Sequence, residues 1–402
     1  MSLLEGEELD FKVDVEAPTA PITDEIVNEK YARGEIRIVT EQARYPLSTV
    51  PSLVESSAYE LSPEYQRRHR WSVEQRSRLI ESLIMNVPIP PIFLYEYDYS
   101  KYEVMDGLQR LTTIHAFYRD EFELAGLTQW PELNGRNYSA LPEKVREGID
   151  RRYLSSVILL KETAKNAEDA LRLKQLVFER INSGGAKLTP QEARNAIFDG
   201  PLNRLSIKLS KNASLCRLWS LPVPDGRELD GGPPSDERQQ CEDYRRMDDV
   251  ELVLRFFAFR QKQRLHKSTV PLSVYLDSFL RFGNSLPQPI LQTLEQIFLD
   301  TVGLIEATFG ERAFWLYRQR RGLWSWLERP TTTVYDALMA VVSRHLDKRD
   351  QILGKTTELQ SGLESFYRNN YNTFEGRNVN PSALQAREKA LEEFLINALA
   401  QA

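Results

Sequence analysis

The chain is predicted to be α+β: a small mixed α/β domain followed by a larger all-α domain. Three observations point there. Short apolar runs broken by Pro, Gly and Asp crowd the part before residue 165. From Glu168 onward apolar residues recur almost throughout at helical spacing. The length of 402 residues, with 41% hydrophobic content, is enough for two ordinary cores. The predicted divisions are an acidic flexible tail at 1–30, an α/β domain at 31–165 and a helical domain at 166–402.

The elements follow in order. Residues 1–16 carry six acids against one lysine, which is most of the net charge of −6. Such a stretch is expected to be solvated and disordered, or to act as a nucleic-acid mimic over a basic site. Gly34 to Tyr45 reads as a strand region. Ser72 and Gln75 form a capping box, and Leu79, Ile80, Leu83, Ile84 and Val87 follow at helical spacing. Pro88, Pro90 and Pro91 stop that helix and open an edge-like strand, Ile92 to Tyr97. A turn at Asp98 to Lys101 leads to a returning strand, Tyr102 to Met105. Asp106 and Gln109 repeat the capping signature before a helix that reaches about Tyr118.

Further along, residues 156–161 fit a buried strand. Asn182 to Gly185 ends one helix with glycine, and Thr189, Pro190 and Glu192 cap the next. Residues 222–238 hold four Pro and three Gly, which predicts a long flexible loop. Asp248 to Phe259 and the segments after it read as helices.

Several function classes are argued against. No apolar run reaches the ~18 residues of a membrane helix, and the acidic start lacks a secretory pattern, so a cytoplasmic protein is expected. Cys216 and Cys241 make neither a metal set nor a disulfide framework. His69, His115, His266 and His345 are not paired at ligand spacing, and Walker A and nucleophile-elbow sequences are missing.

Four segments could carry chemistry. In the first, a strand stops at Asp106-Gly107 and opens a helix, where backbone N–H groups and the helix dipole favour a phosphate. Arg110 would add charge and Thr112 or Thr113 a hydroxyl, while Asp106 would need Mg²⁺ between itself and a phosphate, or would orient water. The plainer reading makes Asp106 an N-cap and Gln109 its box partner. The second segment, 64–78, has five Arg against two Glu beside Tyr65 and Trp71. Arg67 and Arg70 precede the helix cap and could approach the phosphate cradle, or they form an ordinary surface run. The third, Phe178 to Asn195, joins two helix ends and reads as a well-capped hairpin that could also present polar groups to a cleft. The fourth, 310–330, interleaves five Arg with five aromatics, which suits nucleic acid or a packed helical core.

Together these segments resemble the N-terminal domain of GmrSD-type restriction proteins, a domain related to the ParB/sulfiredoxin fold. The resemblance rests on Tyr65-Gln66-Arg67 with Trp71, on Pro88-Ile89-Pro90-Pro91, and on Asp106-Gly107-Leu108-Gln109-Arg110-Leu111-Thr112-Thr113. It continues with Phe178, Arg180, Ile181, Asn182 and Gly184, then Glu192, Arg194, Asn195 and Ala196. Leu108 stands where the family signature has a glutamine, and no segment reads as the His-rich nuclease domain of full-length members, so the resemblance implies a stand-alone member that is not expected to cut DNA itself.

The resemblance implies a nucleotide-binding, NTP-hydrolysing regulatory or sensor subunit of an anti-phage restriction system, with ATP or GTP and Mg²⁺ as cofactors. It assigns Asp106 and Gln109 to catalysis, with Asp106 also on the metal. Gly107, Arg110, Thr112, Arg67, Arg70, Asn182 and Arg194 go to the nucleotide. Implied partners are DNA, a separately encoded nuclease or other defence protein, and further copies of the chain. The alternative is a DNA-binding or adaptor protein with a degenerate nucleotide site.

Overall fold

The computed structural model describes residues 3–11, 23–33, 38–61, 68, 71–163, 166–181, 189–266, 270–376 and 380–400. It divides into two compact units, Pro18–Leu188 and a second made of Met1–Ala17 with Thr189–Ala402. The α+β class holds: one unit is built on a sheet and the larger one is mostly helical.

The first unit starts with helix α1 (Asp24–Arg33) and strand β1 (Thr40–Pro46), followed by α2 (Val50–Glu55) and β2 (Tyr59–Glu60). Then come α3 (Val73–Ile84), β3 (Ile92–Asp98), β4 (Lys101–Asp106) and α4 (Leu108–Tyr118). Helix α5 (Glu143–Asp150), β5 (Tyr153–Leu159) and α6 (Ala167–Ile181) complete it. The sheet order is β1-β5-β3-β4-β2, with β3 parallel to β5 and antiparallel to β4. Strand β3 is therefore central, which corrects the edge placement. The prolines lie before the strand, so none removes a ladder hydrogen bond, and Ile92 and Leu94 are fully buried.

The core between sheet and helices joins Leu79, Ile80 and Leu83 of α3 to Leu111, Ile114 and Phe117 of α4. The Ser72 capping box forms as expected: Gln75 N–H donates to Ser72 Oγ, and Ser72 N–H donates to Gln75 Oε1 at 2.9 Å. Buried Glu81 accepts from the N–H groups of Gln129 and Trp130, which ties the segment after α4 to α3.

In the second unit, Thr189 caps α7 (Pro190–Ile197) in a capping box, as predicted. Longer helices surround a core that includes Phe256, Phe257 and Phe298; among them are Asp248–Phe259, Gln288–Phe309 and Thr332–Arg344. Three expectations are corrected here. Residues 3–11 are not a solvated tail, because Glu7 makes a bidentate buried pair with Arg260 at 2.5 and 2.6 Å. Leu9 and Phe11 are buried beside it, with Phe11 stacked on Phe282. Acidity predicted solvation, yet one matched buried arginine and two apolar anchors reverse it.

Residues 222–238 are likewise not a free loop. Asp225 and Ser235 cap short helices, and Arg238 pairs with Glu228 at 2.9 Å, both almost wholly buried. Finally, the 310–330 segment is a two-stranded hairpin, β6 (Trp315–Arg320) and β7 (Leu323–Pro330), rather than helix.

A lysine in this unit yields a pH prediction. Lys262 is buried over the Phe259 ring, and burial pushes its ammonium down to about 7 although Asp336 pulls the other way. Its ordinary value of 10.5 is kept in the unfolded chain, so the unfolded state binds more protons between the two values. Stability should therefore rise as pH goes from about 7 toward 10. Melting temperatures across that range should climb in the parent chain and stay nearly level in Lys262→Met.

Candidate functional site

The site is built where β4 gives way to α4. Asp106 is the last strand residue, paired with Phe93 of β3, and Gly107 turns the chain with φ of +98°. Few residues other than glycine take that conformation. Space forbids a side chain as well, since a Cβ on Gly107 would lie 2.4 Å from Ile92 Cγ2 and 3.1 Å from Arg110 Nη2. The helix cap is therefore Gly107, which corrects the reading of Asp106 as N-cap with Gln109 as box partner. Packing against β3 demanded a glycine at the cap, and the carboxylate was left for another partner.

That partner is Arg110, whose Nη2 donates to Asp106 Oδ2 at 2.6 Å while its Nη1 donates to Pro90 O at 2.9 Å. The guanidinium side chain is only 10% exposed, against 35% for the Asp106 carboxylate. A buried arginine thus clamps the turn from below, and the carboxylate stands at the surface. The first intrahelical bond of α4 is Leu111 N–H to Gly107 O at 3.0 Å. The amides of Leu108, Gln109 and Arg110 thus form the helix's opening turn, at the positive end of its dipole.

The remaining residues fall as follows. Leu108 points into the core at 7% exposure, so its departure from the family signature lies on the inner side of the helix. Gln109 Oε1 accepts from Trp71 N–H at 3.3 Å. Trp71 therefore lies at the mouth of α4. Arg67 and Arg70 lie outside the described residues, as does Asn182; Arg68 is buried. Thr112 donates its hydroxyl to Leu108 O at 2.9 Å, within its own helix.

Arg194 belongs to the other unit, where its buried guanidinium donates to Gln191, Glu251 and Asp277. With two carboxylates already on it, that arginine is a structural tie of the helical unit. Sequence reasoning missed two supports: the Pro90 carbonyl that anchors Arg110, and the ion pair from Lys174 of α6 to Glu103 of β4 at 2.7 Å. Only the proline run before β3 hinted at the first.

Among the described residues no three His, Cys, Asp or Glu side chains gather as a metal set, and no helix is long and apolar enough to cross a membrane. Neither a curated protein nor a solved structure matches the chain. Residues 50–198, from α2 to the end of α7, match the family described as GmrSD restriction endonuclease, N-terminal domain, and the matched stretch includes the Gly107 turn.

Proposed function

We propose that the first unit binds the triphosphate of an NTP, ATP or GTP, at the β4–α4 turn. In this reading, occupancy regulates a separately encoded nuclease in a phage-restriction system. The family description supports the restriction role. One observation carries the nucleotide reading. Gly107 is held in a left-handed, Cβ-excluding turn at the mouth of an 11-residue helix, with a buried arginine aiming a surface carboxylate across it.

The residues divide the work. The opening amides of α4 face the phosphates, and Arg67 and Arg70 would supply the positive charge that Arg110 spends on Asp106. Arg110 orients Asp106 instead of touching phosphate. A magnesium ion brought by a nucleotide needs only one or two protein carboxylates. Asp106 fits that part through Oδ1, because Oδ2 is taken by Arg110. When bound, the ion would neutralise phosphate charge. Gln109 sits on the outer side of the turn, where it would orient a water. Because Leu108 faces the core, hydrolysis does not hinge on position 108.

The test is a thermal-shift screen of ATP, GTP, CTP and UTP, with and without Mg²⁺. A ligand at about 100 times its Kd should stabilise by roughly 2.7 kcal/mol. Asp106→Asn should lose the magnesium-dependent part of that shift. A flat response to every nucleotide, or a shift that Asp106→Asn leaves intact, would sink the reading.

A further inference from the structure

The β6–β7 hairpin is not used by the nucleotide site, and its two faces differ. Trp324 and Trp326 turn toward the helix Thr356–Asn369 and the turn after it. Trp326 Nε1 donates to Glu364 at 3.1 Å, and its ring meets Tyr367 edge-on. Trp324 packs on Tyr371, and the Arg368 guanidinium lies over it at 5.1 Å. These aromatics are engaged in packing and do not form a platform for unpaired bases.

The register places Arg318 opposite Ser325 and Arg320 opposite Leu323, on the other face. No acid occurs in 316–320 or 323–327, in a chain whose net charge is −6. Among the described residues Arg318, Arg320, Arg321 and Arg329 make no ion pair. The tip is a two-residue turn, Arg321 and Gly322, with φ of +53° and +83°. Such a turn favours Asn-Gly, so an arginine there works against local conformational preference. Beside it, Leu323 is 76% exposed. The fold thus projects a ribbon that ends in two adjacent arginines and one bare leucine.

We propose that this hairpin is a duplex-DNA contact. Its Arg320–Leu323 tip enters a groove, where Arg320 and Arg321 meet the phosphate backbone and Leu323 packs against sugar or base. A two-stranded ribbon fits the major groove, arginines are favoured in a narrow minor groove, and an apolar tip residue can wedge at a base step. Packed aromatics and outward arginines favour a duplex over a single strand. The proposal does not rest on the nucleotide reading.

The test is fluorescence anisotropy of the full chain with a short mixed-sequence duplex and with its single strand, over a salt series and without nucleotide. The parent should bind duplex more tightly than single strand. Arg320→Glu/Arg321→Glu should weaken duplex binding by about tenfold or more and reduce the magnitude of the log–log salt slope by about 2. The charge-matched control Lys144→Glu/Lys389→Glu should stay within about threefold of the parent. Arg321→Gly suits the turn better, so it should keep or raise the melting temperature while still weakening DNA binding. Failure of the parent to bind duplex, preference for the single strand, or hairpin variants that bind like the control would overturn the proposal.

Discussion

Gly107→Ala is expected to destabilise the first unit by roughly 2–5 kcal/mol and to abolish nucleotide-dependent stabilisation. Two penalties act together. A non-glycine residue at φ of +98° costs about 1–2 kcal/mol in backbone energy alone. The new methyl would also press on Ile92, which is fully buried in β3, and on the Arg110 nitrogen that holds Asp106. Relief requires the strand or the arginine to move, and overpacking of this kind costs about 1–3 kcal/mol. Gly135→Ala is the matching control, because that glycine has φ of +78° but nothing within 4 Å of the added carbon. Denaturant titration, with hydrogen exchange read in α4, should show a clearly larger loss for position 107. Equal losses at the two positions would mean that the turn tolerates a side chain and that the cradle is not specified by Ile92.

Asp336→Ala should cost the helical unit about 3–5 kcal/mol, because it strands a buried arginine. Arg255 Nε donates to Asp336 Oδ1 at 3.0 Å, and its Nη2 pairs with Oδ2. Both side chains are at most 5% exposed. Glu251 lies 3.6 Å from Arg255 but already accepts from Arg194, so it offsets only part of the lost pair. The double change Asp336→Leu/Arg255→Met should recover part of the loss, since it removes the buried guanidinium together with its main counter-charge. Urea midpoints of the parent, the single and the double variant decide it. A single variant within about 1 kcal/mol of the parent would show that the pair contributes little beyond its packing.

Local signals in the sequence were sufficient wherever a short-range rule governed. The boxes at Ser72 and Thr189 form because each needs only residues three apart on one helix. The helix Asp248–Phe259 appears where apolar spacing placed it. The turn at Gly107 was legible as a strand opening a helix, and the family motifs pointed to the same residues. The hairpin at 315–330 departs from the helical expectation because aromatics at that density suit a helical core and a strand pair alike. The Arg321-Gly322 pair was the turn signal that could have found it.

What the sequence determined by itself was the α+β division, the capped starts at Ser72 and Thr189, and the strand-to-helix turn at Asp106 to Arg110. Tertiary structure alone decided which side of each element faces a partner. It gave Arg110 to Asp106 and Pro90, turned Leu108 into the core, drew Glu7 onto Arg260 and laid Trp326 against Tyr367. The physical reason is range. Capping and periodicity act across three or four residues, whereas a buried charge finds its counter-charge through space, and Glu7 and Arg260 lie 253 positions apart.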